Sequence, residues 1–184
     1  MDFQEQKNRQ LERKDKSNEQ KWDSAIRGLC DKINSKKQYY TTSSCSGRII
    51  LVKGKDQKSR NAFLFKSHEK VSFNEFKKII SKIDYKKLVY FKQEPVILHI
   101  ACSDISKAED LLDKARDAGW KKKGIITARK RFVVELIGSE KLELPIMNNK
   151  KLLVDDAYLK LLLKEANLRL GRTWERIFKL EKKI

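Results

Sequence analysis

The side chains best able to do polar chemistry in this sequence crowd into one stretch, YYTTSSCSGRII, residues 39–50. Ser43, Ser44 and Ser46 carry hydroxyls that accept and donate, Gly47 lets a ligand approach the backbone, and Arg48 brings a bidentate fork. A phosphate, a carboxylate or a nucleobase edge suits that set. So does the plainer role of a Ser/Thr-rich turn that caps the preceding helix. Cys45 beside an arginine invites a nucleophile reading, but Arg48 follows too closely for the pair to wrap a phosphate, and no partner base is assignable. A small packing residue is the favoured reading of Cys45, with a thiol- or phosphate-using hydrolase as the weaker one. His68 ends an apolar run, where an imidazole can serve as acid or base near neutral pH. His99, inside VILHIA, reads either as a hydrogen-bonded core residue or as a site residue. If both histidines face the Ser-rich stretch, they form one site with it.

The surrounding pattern supplies the elements that must position these groups. Trp22, Ile26, Leu29, Cys30 and Ile33 recur at helical spacing, so a helix over residues 21–35 is expected to feed the Ser-rich stretch as a loop at a helix-to-strand junction. RIILV and AFLFKSH predict a hairpin across the basic connector KGKDQKSRN. Ser72 and Glu75 form an S-x-x-E capping box before Phe73, Phe76, Ile79 and Ile80. LVYFKQ and VILHIAC predict two strands, or one interrupted at Pro95. A second S-x-x-E, Ser106 to Glu109, opens a helix that Gly119 ends. GIIT with RFVVELI, and LELP with KLLV, read as further strand pairs. Asp155 or Asp156 caps a C-terminal helix that Gly171 should break. Strands and helices alternate without a repeated βαβ unit, which predicts an α+β fold with a mixed, mainly antiparallel sheet. Residues 1–20 read as a polar helix or arm, and residues 21–184 as a single α+β domain.

Composition narrows the partner. The 184 residues hold 43 Lys and Arg against 25 Asp and Glu, a formal charge of +18 that self-repels unless a polyanion is the usual neighbour. Nucleic acid leads, against the plainer reading of solvated lysine faces. Residues 114–131 are the most one-sided, and Lys121, Lys122, Lys123, Arg129, Lys130 and Arg131 suggest a phosphate track. Tyr39, Tyr40, Trp120 and Phe132 are candidates to stack on unpaired bases. No run approaches the roughly 18 apolar residues of a membrane span, and no apolar signal-peptide core opens the chain, so a soluble, cytoplasmic protein is expected. Three widely spaced cysteines and two histidines suggest neither a disulfide framework nor a metal site. Phosphate-binding and dinucleotide-binding glycine motifs are lacking.

Taken together, TTSSCSGRI after a helix ending in IN, SH after a strand, EPVILHIAC, AGW before GI, LELP and LLVDDAYLKLLLKEANLRL resemble the tRNA wybutosine-synthesizing protein 3 family, in order from Trp22 to Leu180. The resemblance implies a methyltransferase that uses S-adenosylmethionine to methylate N-4 of the tricyclic guanosine-derived base at position 37 of tRNA(Phe). It also implies a fold unlike Rossmann-type methyltransferases. The matching positions are Asp23, Asn34, Ser43, Ser44, Cys45, Gly47, Arg48, His68, Glu94, His99, Pro145 and Asn167. Departures fall in SRNAFLFKSH and at Lys123. The expectation is a base splayed from the anticodon loop into a pocket of residues 43–48 and the histidines, stacked on Tyr40. His68 takes the proton role, Ser44 orients the base, and Arg48 binds a phosphate or exocyclic oxygen. Asp23, Ser43, Cys45, Ser46, Gly47 and His99 contact substrate, in a monomer that needs no metal or membrane. A non-catalytic module that binds the anticodon loop is the alternative.

Overall fold

The computed structural model describes residues 2–12, 23–54, 62–129 and 131–184. In chain order the first half holds α1 (Phe3–Leu11), α2 (Ser24–Ser35), β1 (Tyr39–Cys45), β2 (Arg48–Lys53), β3 (Phe63–Ser67), α3 (Phe73–Ile80) and β4 (Val89–Glu94). The second half holds β5 (Ile97–Cys102), α4 (Ile105–Asp117), β6 (Lys122–Thr127), β7 (Phe132–Ile137), β8 (Leu142–Asn148), β9 (Lys151–Leu152) and α5 (Asp156–Lys183). Every strand pair described is antiparallel, as expected of the α+β pattern. The chain divides into two units, each discontinuous in sequence. Unit 1 takes Met1–Ser46, Val96–Ser139 and Thr173–Ile184, and unit 2 takes Gly47–Pro95 and Glu140–Arg172.

Unit 1 is built on a sheet of order β1-β5-β7-β6. Alternation along β5 and β7 sends Leu98, Ile100, Cys102, Val134 and Leu136 to one face, where they bury against Ile26, Leu29, Cys30 and Ile33 of α2 and Ala108, Leu111 and Ala115 of α4. Ile177 and Leu180 join the same core. On the opposite face Tyr40, Ala101 and Val133 are covered by Phe3 of α1, whose ring lies 5.1 Å from that of Tyr40. The polar N-terminal segment is thus a docked helix over residues 3–11, held by an Asp2–Glu5 capping box; its continuation and the basic hairpin tip lie outside the described residues.

Unit 2 carries a sheet of order β3-β2-β4-β8-β9. The continuous apolar run of β2 is buried on both faces, and on one of them Ile50 and Val52 pack with Tyr90 of β4. Phe76 of α3 packs edge-on against Phe65 and Phe91, with ring centroids 6.2 and 5.6 Å away. Pro145 sits in β8 opposite Tyr90, beside a register shift, which spares the ladder a missing donor.

Caps decide the helix ends, and two sequence expectations change. Ser72 caps α3 as predicted, its hydroxyl accepting from the Glu75 amide. The cap of α4 is Asp104, not Ser106: the Asp104 carboxylate accepts from the Lys107 amide at 2.9 Å, starting the helix earlier. Asp155 caps α5 through the Tyr158 amide at 2.8 Å. Gly171 does not break α5, which runs unbroken to Lys183. A glycine inside a helix costs only about 1 kcal/mol relative to alanine, less than buried Leu170 and Thr173 beside it recover by packing. Gly119 does stop α4, with φ +86° and a Schellman pair, Trp120 N–H to Ala115 C=O and Gly119 N–H to Arg116 C=O, both at 2.9 Å.

These two glycines should respond oppositely to alanine. A Cβ at Gly171 meets only Lys70 side-chain atoms at 3.7–3.8 Å, so Gly171→Ala should stabilise the protein by about 0.5–1 kcal/mol. Gly119→Ala should destabilise it by roughly 1 kcal/mol, because its left-handed φ admits a side chain only under strain. Denaturant midpoints at constant m-value check both signs.

Candidate functional site

The Ser-rich stretch is a strand, not a loop, and its hydroxyls are sorted by the pleat. Tyr40 stands opposite Ala101, Ser43 opposite His99 and Cys45 opposite Ile97, with a register shift between Thr41 and Ser43. Strict alternation from Tyr40 would have put Thr42 and Ser44 on its face; the extra residue at the bulge puts Ser43 and Cys45 there. Asn34 ties down the strand just before the shift, its Oδ1 accepting from the Thr41 amide at 2.8 Å and its Nδ2 donating to Thr41 Oγ1 at 3.0 Å. The register across the sheet then lines up Ser43, His99, Glu135 and Gly124 in one row. In the next row stand Cys45, Ile97, Ile137 and Lys122.

Within the first row Ser43 Oγ lies 2.9 Å from His99 Nδ1, and His99 Nε2 lies 2.7 Å from Glu135 Oε2. His99 is therefore not a core residue; about a quarter of its side chain is exposed, and Ser43 is exposed. Glu135 escaped the sequence reading because it hides in an apolar run, RFVVELI. Its period-2 phase with His99 was the available signal.

Ser44, Ser46, Asp23 and Tyr40 are engaged within the fold, whereas Cys45 stays half-buried on the Ser43 face. Ser44 lies on the α2 side of the sheet, hydrogen-bonded with the Cys30 thiol, so Ser43 rather than Ser44 presents its hydroxyl with His99. Ser46 is fully buried, and its amide and hydroxyl donate to Asp23 Oδ2 at 2.8 and 2.9 Å. Asp23, at the N-cap of α2, makes no side-chain cap and organises the end of β1 instead. Tyr40 offers no stacking face: it is fully buried under Phe3, and its hydroxyl accepts from Arg131 Nη1 at 2.9 Å. Tyr39 and Trp120 are buried likewise, and Phe132 packs on the core.

Unit 2 holds the remaining predicted residues. Arg48 and Glu94 face each other at the ends of β2 and β4, Nε donating to Oε2 at 2.6 Å, and the guanidinium carbon stands 5.1 Å from the Phe63 ring centroid. Gly47 has φ +91°, and a Cβ there would meet Glu94 O at 3.0 Å, so the chain turns here only with glycine. His68 Nδ1 lies 3.2 Å from Gly47 O. A carbonyl only accepts, so in this contact Nδ1 is the donor. The segment after His68 is clamped by Asn167 of α5, whose amide donates to Val71 O at 2.9 Å and accepts from Val71 N at 3.0 Å. Asn167 and Glu94, matched to the family without a role, thus hold His68 and Arg48 in place.

Of the basic track, Lys121, Lys122 and Arg129 are exposed. Lys123 instead donates to Trp120 O at 3.1 Å, Arg131 supports Tyr40, and Lys130 lies outside the described residues. No described helix is long and apolar enough to cross a membrane.

With this geometry in hand, likeness to known proteins is informative. The family model described as Methyltransferase TYW3 matches residues 4–184. A tRNA(Phe) 7-((3-amino-3-carboxypropyl)-4-demethylwyosine(37)-N(4))-methyltransferase of Archaeoglobus fulgidus is 36% identical over 169 residues, 91% of this chain and 85% of its own. The Thermococcus sibiricus protein of that name is 38% identical over 88% of this chain and 83% of its own. A tRNA wybutosine-synthesizing protein 3 homolog of Danio rerio is 32% identical, covering 95% and 71%. Among solved structures, a Pyrococcus horikoshii protein superimposes with a TM-score of 0.80 at 30% identity, over 88% of this chain and 82% of its own. A hypothetical protein from Aeropyrum pernix gives 0.74 at 25% identity, covering 88% and 99%.

Two of the three thiols are inert by environment. Burial pushes Cys30 up to about 12, only partly opposed by the Ser44 hydrogen bond, and burial does the same to Cys102. At pH 8 iodoacetamide should leave Cys30 and Cys102 unlabelled in the folded protein and label both after denaturation. Peptide mass spectrometry that finds either alkylated in the native state would contradict this packing.

Proposed function

The chain belongs to the TYW3 methyltransferase family, and from that premise we propose how its own residues serve methyl transfer. It is a tRNA methyltransferase of wybutosine biosynthesis that methylates N-4 of the tricyclic guanosine-derived base at position 37 of tRNA(Phe). The match over nearly the whole chain carries that assignment.

The methyl donor in this reading is S-adenosylmethionine, which when bound supplies an electrophilic methyl group on a sulfonium. The fork of Arg48, anchored through Nε by Glu94, suits the carboxylate of such a donor as well as a phosphate. Methylating a ring N–H releases a proton, and a positioned base must hold it. His68 is that base in our reading, because it is an imidazole just beyond β3 whose ring is oriented by Gly47 O. In unit 1, Ser43 offers a nucleobase edge of the tRNA an exposed hydroxyl held by His99. Exposed Lys121, Lys122 and Arg129 supply charge for the phosphates of the anticodon loop.

Incubation with labelled S-adenosylmethionine and tRNA from cells lacking the activity should place label in the nucleoside at position 37. Absence of label, or label elsewhere, overturns the assignment. Under single-turnover conditions at neutral pH, His68→Ala should slow transfer by roughly a hundredfold or more with tRNA binding retained. Full rate in that variant removes His68 from the proton role. Affinity for tRNA should fall steeply and log-linearly with salt, and Lys122→Ala should reduce the slope by about one.

A further inference from the structure

We propose that Glu135, acting through His99, fixes the hydroxyl of Ser43 as a hydrogen-bond acceptor, and that this row of the unit 1 sheet receives an N–H-bearing edge of a tRNA nucleobase. The ligand half of this inference rests on the reading of the chain as a tRNA-modifying enzyme. The hydrogen-bond order rests on the geometry together with a neutral imidazole at His99.

Polarity runs one way along the row. A carboxylate only accepts, so at 2.7 Å Glu135 Oε2 must receive a proton from His99 Nε2. A neutral imidazole protonated there is bare at Nδ1, so at 2.9 Å Ser43 must donate its O–H to that nitrogen. With its only proton committed, Ser43 Oγ turns lone pairs alone to the surroundings. An isolated serine rotates to suit either a donor or an acceptor; this one discriminates. It welcomes an amino or imino N–H and repels a carbonyl edge, which would set two acceptors against each other.

The neighbouring residues fit a planar ligand. Gly124 continues the row beyond Glu135, and a Cβ built on it meets nothing within 4 Å, so the sheet surface there is flat and open. In the adjacent row Ile97 is 38% exposed, an apolar ledge for a ring, and exposed Lys122 shares its face. On the other side of the row the sheet is already covered by α1 through Phe3. Glu135 touches no ligand in this scheme and is a positioning residue.

With only two histidines in the chain, a long-range 15N–1H spectrum of the wild-type protein reads the tautomer directly and needs no variant. It should show His99 protonated at Nε2; a resonance for Nδ1–H at His99 overturns the order. In steady-state assays Ser43→Ala should raise the KM for tRNA roughly five- to tenfold, the weight of one hydrogen bond, with kcat within about twofold. Glu135→Leu should shift the tautomer and raise the same KM by a part of that amount, and the double variant should be no worse than Ser43→Ala. Full additivity, or an unchanged KM when the tautomer has shifted, rejects the coupling. A rise in the KM for S-adenosylmethionine instead would give the N–H to the donor's ammonium or amino group and reject the nucleobase. Wild-type protein that methylates no tRNA while keeping the Nε2–H signal would sink the functional reading and its ligand, and leave the hydrogen-bond order standing.

Discussion

A single inserted residue in β1 decides which side chains share a face in unit 1. Side chains in a strand alternate with a period of two, so the register shift at Thr42 exchanges the residues on the two faces of everything that follows it. Ser43 joins His99 and Glu135, while Ser44 turns to the Cys30 thiol on the helix side. Asn34 answers the Thr41 amide just before the irregularity, so the bulge is a held feature rather than slack. The fully buried face of the sheet makes slippage costly, because a one-residue shift would drive Leu98 and Ile100 out of the core against α2 and α4.

Unit 2 uses backbone restraint in place of register. Gly47 adopts a φ open to glycine, with Glu94 O crowding the place a Cβ would take. Its carbonyl receives the His68 Nδ1–H, and the chain beyond His68 is clamped at Val71 by both ends of one amide, Asn167. Such pre-positioning suits catalysis, where a base held in reach costs no ordering entropy at the moment of reaction. The Arg48–Glu94 pair is partly exposed, so its worth is less in stability than in aiming the guanidinium.

Charge and chemistry are distributed differently. The +18 balance makes a polyanion a natural partner. Ser43, His99 and Glu135 are hydrogen-bonded to one another in a row. Charge of this kind supplies encounter and general affinity, whereas selectivity in general comes from fixed donors and acceptors, because only they penalise the wrong edge.

Sequence by itself determined the partner class, the antiparallel α+β character and most elements. Charge is additive, and the periodicities around Ile26–Ile33, Arg48–Val52 and Ile97–Cys102 are local signals that packing then confirms. Residue chemistry, and then resemblance to a family, brought Ser43, His68 and His99 to attention, whereas Ser106 and Gly171 misled, since capping and breaking are decided by which neighbour competes better. Only tertiary structure decided that TTSSC is a strand, that Tyr40 is sealed beneath α1, and that Glu135 stands beside His99. Each depends on contacts between segments far apart in the chain, where cross-strand register, not spacing along the sequence, determines which side chains meet.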